Sequence, residues 1–207
     1  MKKLFVLILA LILVSTSTLF VSALDTTPNI QPAEQVTAQL VDDSGNMIPI
    51  TGHLITASTA RTFSSDAAVT YRFLIYEHEL TKSGPDSTLS STVTLTIYYN
   101  TYTHSSGLDV YLLTRVEAAW AISDAFVSVT AATLNYGCSG YLPEGGYANQ
   151  ADSVNPPAYF GGYNVSTGFD EYVLSESVAV MGASLILNYA RGSRTWTFTM
   201  QNNLFNT

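Results

Sequence analysis

Cysteine is nearly missing from this chain, with one thiol, Cys138, in 207 residues. A single cysteine excludes an intrachain disulfide and a multi-thiolate zinc cage. Positive charge is scarce as well: eight lysines and arginines stand against sixteen acids, for a formal charge of −8. A surface of that sign repels phosphate backbones, and no basic run overrides it locally, so nucleic acid is not expected as a partner. Neither a dinucleotide fingerprint nor a phosphate-cradling glycine loop is present, so no cofactor is expected. The paired cysteines that flank a tryptophan in immunoglobulin domains are also missing.

The first 23 residues are well marked. MKKLFVLILALILVSTSTLFVSA opens on Lys2 and Lys3, continues through the unbroken apolar run from Leu4 to Val14, and ends on the small-residue set Val21-Ser22-Ala23. This pattern predicts a cleaved signal peptide of bacterial type over residues 1–23 and a secreted, extracellular mature chain starting near Leu24. An uncleaved anchor is the competing reading, since roughly 20 apolar residues span a bilayer, but Ser15-Thr16-Ser17-Thr18 interrupts the run. With no cysteine at the new N-terminus, a lipid anchor there has no thiol to acylate. After cleavage no membrane attachment is expected. Loss of the two lysines leaves six basic residues against sixteen acidic ones, a formal charge of −10.

About 184 mature residues suffice for a single domain with a substantial core. Residues 24–34 read as a flexible lead and 35–207 as one β-sandwich. Apolar and polar residues alternate at period two along most of that length, the pattern of strands with one buried face. Val69, Tyr71, Phe73 and Ile75 share one face. Val93, Leu95, Ile97 and Tyr99 share another, and Trp196, Phe198 and Met200 alternate near the C-terminus. Asp43-Ser44-Gly45-Asn46 and Arg191-Gly192-Ser193 lie between such runs and predict hairpin turns. Pro49 marks its strand as an edge or bulge. Residues 108–122 fit helical spacing as well as alternation, and the short His104-Ser105-Ser106-Gly107 connection favours a hairpin strand. About eight antiparallel strands in a sandwich follow.

One stretch departs from this rhythm. Residues 137–172 hold seven of the thirteen glycines and three of the seven prolines, and predict a long irregular loop beginning where a strand ends at Tyr136. Cys138 lies in that stretch without a histidine in any nucleophile motif, so a tolerated structural thiol is expected. Leu142-Pro143-Glu144-Gly145-Gly146 resembles the sortase sorting signal Leu-Pro-x-Thr-Gly, but glycine replaces the threonine and no apolar tail follows. Asn164-Val165-Ser166 is a formal glycosylation sequon, and the bacterial type of the signal argues against its modification.

Metal chemistry finds little support. In Glu77-His78-Glu79 strand neighbours point to opposite faces, so the histidine cannot join both acids. Asp42-Asp43-Ser44-Gly45-Asn46 lacks calcium-loop spacing and reads as turn chemistry. No metal site and no catalytic residue is expected. The glycine-rich stretch carries Tyr141, Tyr147, Tyr159 and Tyr163, rings that combine apolar area with a hydrogen-bonding tip and suit sugar faces or protein partners. They are the candidate ligand-binding residues; the competing reading folds these rings back as a lid on the core. The expected function is non-enzymatic binding of an extracellular glycan or protein. The alternatives are a polysaccharide hydrolase whose carboxylates meet only in three dimensions, and a surface protein that self-associates through strand edges.

Overall fold

A computed structural model of the chain describes residues 36–48, 50, 52–58, 64–76, 89–176 and 178–205, with the backbone alone at 36–37, 52–58, 64–66, 71, 74–76 and 89–90. The signal segment, the lead at 24–34, Pro49 and Glu77-His78-Glu79 lie outside the described residues. Among the described residues no helix is long and apolar enough to cross a membrane.

The strands, in chain order, are β1 (Val36–Asp42), β2 (Met47–Ile48), β3 (Gly52–Ser58), β4 (Ser64–Tyr76), β5 (Leu89–Thr103), β6 (Asp109–Ile122), β7 (Ser128–Tyr141), β8 (Tyr147–Val154), β9 (Gly162–Ser166), β10 (Val173–Leu174), β11 (Val180–Arg191) and β12 (Arg194–Phe205). They form two antiparallel sheets packed face to face, the expected all-β sandwich. Sheet I runs β2-β1-β12-β11-β7-β8, and sheet II runs β10-β6-β5-β4-β3. β9 and β10 both pair with the same edge of β6, at Arg115 to Ala119 and at Val110 to Tyr111, and so act as two pieces of one broken edge strand.

Period-two patterning produces this core directly. Val93, Leu95, Ile97 and Tyr99 of β5 are buried against Trp196, Phe198 and Met200 of β12, and all belong to one hydrophobic cluster. The segment of mixed helical and strand character is β6, paired with β5 from Thr103↔Asp109 to Ser91↔Ile122. The first hairpin turn is closed by Asp42, whose Oδ1 accepts from the Ser44 and Asn46 amides at 3.0 and 2.8 Å. The Asn46 side-chain Nδ2 also donates to that carboxylate, 3.1 Å from Oδ1 and 3.0 Å from Oδ2, which accounts for the oxygen-rich turn.

Among the described residues, Asn202 and the Ser91–Tyr189 pair make polar contacts across the core. Asn202 falls at the next inward position after Trp196, Phe198 and Met200, and is fully buried. Its Nδ2 donates to the Val69 and Leu95 carbonyls of sheet II, each at 2.9 Å. Ser91 Oγ and Tyr189 Oη meet at 2.9 Å in the same way. Each such bond adds only about 1 kcal/mol net, yet leaving a buried partner unsatisfied costs more, so they fix how the sheets sit on each other.

The structure corrects the expectation of a long loop over 137–172. β7 does not stop at Tyr136 but continues to Tyr141, and β8 returns alongside it from Tyr147↔Tyr141 to Val154↔Leu134. A 3₁₀ turn (Ala158–Phe160) and β9 occupy part of the remainder, and β10 follows directly after it. The glycines misled because several of them serve close approach within the sheets. A Cβ at Gly140 would stand 3.1 Å from Val173 and 3.3 Å from Ala179. The sorting-signal look of residues 142–146 has a local cause: Gly145 and Gly146 adopt φ of 94° and 101° in the β7–β8 turn, where a side chain would be strained.

Candidate functional site

Burial alternates along β7, β11 and β12, so one set of side chains enters the core and the other stands on the outer face of sheet I. Strand register places the outer set in rows. Asn149, Ser139 and Val180 form one row; Ala151, Gly137, Gly182 and Asn203 form the next; Ser153, Asn135, Ser184 and Gln201 form a third. All of these except Asn149 line an open trough of about 670 Å³ on that face. The size falls within the range of roughly 300–1,000 Å³ found for small-molecule sites.

The trough has a floor because two glycines face each other across neighbouring strands, Gly182↔Gly137. Gly182 sits at a β-bulge: Met181 faces Phe205 and Gly182 faces Asn203, leaving Leu204 as the extra residue. The Asn203 side chain lies across Gly182, where a Cβ would collide with Asn203 Oδ1 and come within 2.5 Å of the Asn202 carbonyl. Only glycine fits there. At Gly137 a Cβ would stand 3.2 Å from the Gln150 carbonyl, a tight but less forbidding contact.

The walls carry amides and hydroxyls. Ser139 Oγ donates to Asn149 Oδ1 at 2.9 Å, and Ser153 Oγ donates to Asn135 Oδ1 at 2.8 Å. These cross-strand bonds engage the asparagine oxygens. Asp152 is the one acid bordering the trough, and as the register partner of inward-facing Tyr136 it holds its carboxylate on the inner side of the β8 edge. Tyr136 Oη donates to Asp152 Oδ2 at 3.3 Å, while burial first and the neighbouring carboxylate second push the Tyr136 phenol above its usual range.

The predicted tyrosines divide. Tyr141 and Tyr147 occupy the next row on the same outer face, directly opposite each other across the β7–β8 pair. Their rings cross at 88° with centroids 5.6 Å apart, and they are 47% and 53% exposed. They stand at one end of the trough. Tyr159 lies at the other end of the sandwich, beyond the far end of β8, and pairs with Phe160 at 4.7 Å. Seven residue steps along β7 separate the Leu134↔Val154 pair from Tyr141, about 23 Å of strand. Tyr163, on β9, is half-buried and packs against the core cluster. The structure therefore brings together Tyr141 and Tyr147, and separates both from Tyr159 and Tyr163.

Tyr159 and Phe160 are held firmly despite their exposure of 84% and 59%. Trp120 Nε1 donates to the Ala158 carbonyl at 3.0 Å, and the Trp120 amide donates to the Gly161 carbonyl at 2.7 Å. Gln150 performs a similar task on β8: its Oε1 accepts from the Asp170 and Glu171 amides, both at 3.1 Å, fastening the 170–171 segment against that edge.

The thiol takes no part in the trough. Cys138 points inward between the outer residues Gly137 and Ser139, fully buried, with Sγ 3.8 Å from the Tyr111 carbonyl. Burial raises its pKa to about 11, so it is protonated and unreactive at neutral pH. Among the described residues no cluster of three or more histidines, cysteines or acids could hold a metal ion.

The sequence reading missed Asn135, Ser139, Gly182, Ser184, Gln201 and Asn203. Its available signal was the outer phase of four strands. From Thr133 to Tyr141, Tyr147 to Ser153, Val180 to Asn188 and Thr195 to Asn203, every outward position is uncharged. No family model, no curated protein and no solved structure matches the chain.

Proposed function

We propose that the protein is a non-enzymatic module, exported by its N-terminal signal, that binds carbohydrate outside the cell on the outer face of sheet I. The observation that carries this reading is the combination of a glycine-floored trough with an exposed tyrosine pair at its end. Sugars present two chemistries at once, hydroxyl edges and apolar C–H faces. Asn135, Ser139, Ser184, Gln201 and Asn203 supply donors and acceptors for the hydroxyls. Tyr141 and Tyr147 supply apolar ring area with little conformational entropy to lose.

Hydrolysis is the weaker reading for this surface. Cleavage of a glycosidic bond uses two carboxylates flanking it, and Asp152 is the one acid lining the trough. The test is a screen of the secreted protein against immobilised cell-wall and plant glycans, repeated with Tyr141→Ala. Binding that weakens about tenfold in the variant, equivalent to about 1.4 kcal/mol, supports the reading. A protein that binds no glycan, or a variant altered only in thermal stability, overturns it.

A further inference from the structure

We infer that the trough selects uncharged glycan chains and rejects polyanionic ones; this rests on the carbohydrate-binding reading above. The outer face of β8, β7, β11 and β12 spans about 14 Å across the strands, and about 20 Å separates Asn135 from Tyr141 along β7. Within that area each outward side chain is an amide, a hydroxyl, a tyrosine or a small or aliphatic residue, on a chain whose formal charge is −8.

The described cations lie elsewhere. Arg72 is exposed on β4 and Arg115 stacks 3.7 Å over the Tyr98 ring, both in sheet II. Arg191 reaches Asp124 at 3.7 Å beside the β11–β12 turn, and Arg194 opens β12 at that same turn. A uronate or sulfate group entering the trough would meet no cation there. It would lose its hydration and sit in the negative field of the whole chain. A neutral chain carries none of these costs. Its hydroxyls meet the asparagine, glutamine and serine groups, and a sugar ring with C–H bonds gathered on one face meets the Tyr141–Tyr147 pair.

Selectivity of this kind comes from what the surface refuses as much as from what it attracts. It also predicts binding that ignores ionic strength, because no ion pair forms between ligand and protein.

The experiment titrates the full secreted chain with neutral oligosaccharides (cello-, xylo- and manno-series) and with anionic ones (oligogalacturonate and a sulfated galactan), at low and high salt. At least one neutral series should bind with an affinity unchanged by salt, and the anionic series should bind at least about tenfold more weakly. Ser184→Lys and Gln201→Lys should bring the anionic chains onto the same surface, in a salt-sensitive way, with Tyr141→Ala weakening them in that background. Preferential, salt-sensitive binding of anionic chains by the wild type overturns the selectivity while leaving carbohydrate binding intact. Absence of binding to every saccharide overturns both.

Discussion

Both ends of the sandwich display a crossed pair of aromatic rings, and the two pairs are built on different foundations. Tyr141 and Tyr147 face each other across a regular ladder and continue the rows of a polar trough. Tyr159 and Phe160 project from a 3₁₀ turn that Trp120 clamps through two hydrogen bonds. The first pair is embedded in a patterned surface with hydrogen-bonding groups in reach. The second is more exposed and is held in place by a contact behind it. Exposed rings alone therefore do not mark a site; the neighbours decide what they can recognise.

The core beneath the two ends differs as well, and high pH should expose that difference on the largest scale. Under the Tyr141 end lie Cys138 and the Tyr99–Tyr111 ring pair, with centroids 5.8 Å apart. Burial holds the Cys138 thiol up at about 11 and burial, then Tyr111, holds the Tyr99 phenol up at about 12. At the opposite end Tyr189 is raised by burial too, opposed by its bond to Ser91. Raised values mean that the folded chain keeps protons which the unfolded chain loses. The stability these groups confer is complete below about pH 9 and is lost as pH climbs through 11 and 12. Near-ultraviolet circular dichroism should hold steady near neutrality and collapse in that range, with alkylation of Cys138 rising in step. Rapid alkylation at about pH 8 with the spectrum intact would mean that this end of the core is open.

A smaller and more local effect is expected at the trough floor. Gly182→Ala forces its new methyl group into Asn203 and the Asn202 carbonyl, and should cost about 3 kcal/mol by chemical denaturation. The neighbouring Asn202 joins the two sheets, so the displacement reaches the core as well as the surface. A variant as stable as the parent would show that Asn203 does not lie across the glycine.

The smallest change should come from the other aromatic pair. Tyr159→Ala removes a ring that is 84% exposed, so stability should move by no more than about 0.5 kcal/mol. Its glycan affinity should equal that of the parent, in contrast to Tyr141→Ala. An equal loss in both variants, measured side by side by calorimetry, would erase the distinction between the two ends.

The comparison also shows which parts of the molecule could be read without coordinates. β5 and β12 were legible because Val93, Leu95, Ile97 and Tyr99, like Trp196, Phe198 and Met200, repeat at the period of a strand with one face buried. β6 needed the short connection before it, because alternation and helical spacing coincide there. The region 137–172 misread because glycine has the same letter whether it makes a turn, as at Gly145, or admits a neighbouring strand, as at Gly140. Asn202 was invisible for a related reason: a polar residue in the inward phase looks like the end of a strand until carbonyls from the other sheet are found beside it.

Residue order alone was enough for the all-β class, the inward residues of the best strands, and the negative, disulfide-free character of the chain, because periodicity and composition are local and additive. Tertiary structure alone decided that Gly137 lies opposite Gly182, that Tyr141 and Tyr147 share a face with Asn135 and Ser184, and that Tyr159 stands far from them. Those facts depend on which strands become neighbours and in what register, and register joins residues more than 40 positions apart along the chain.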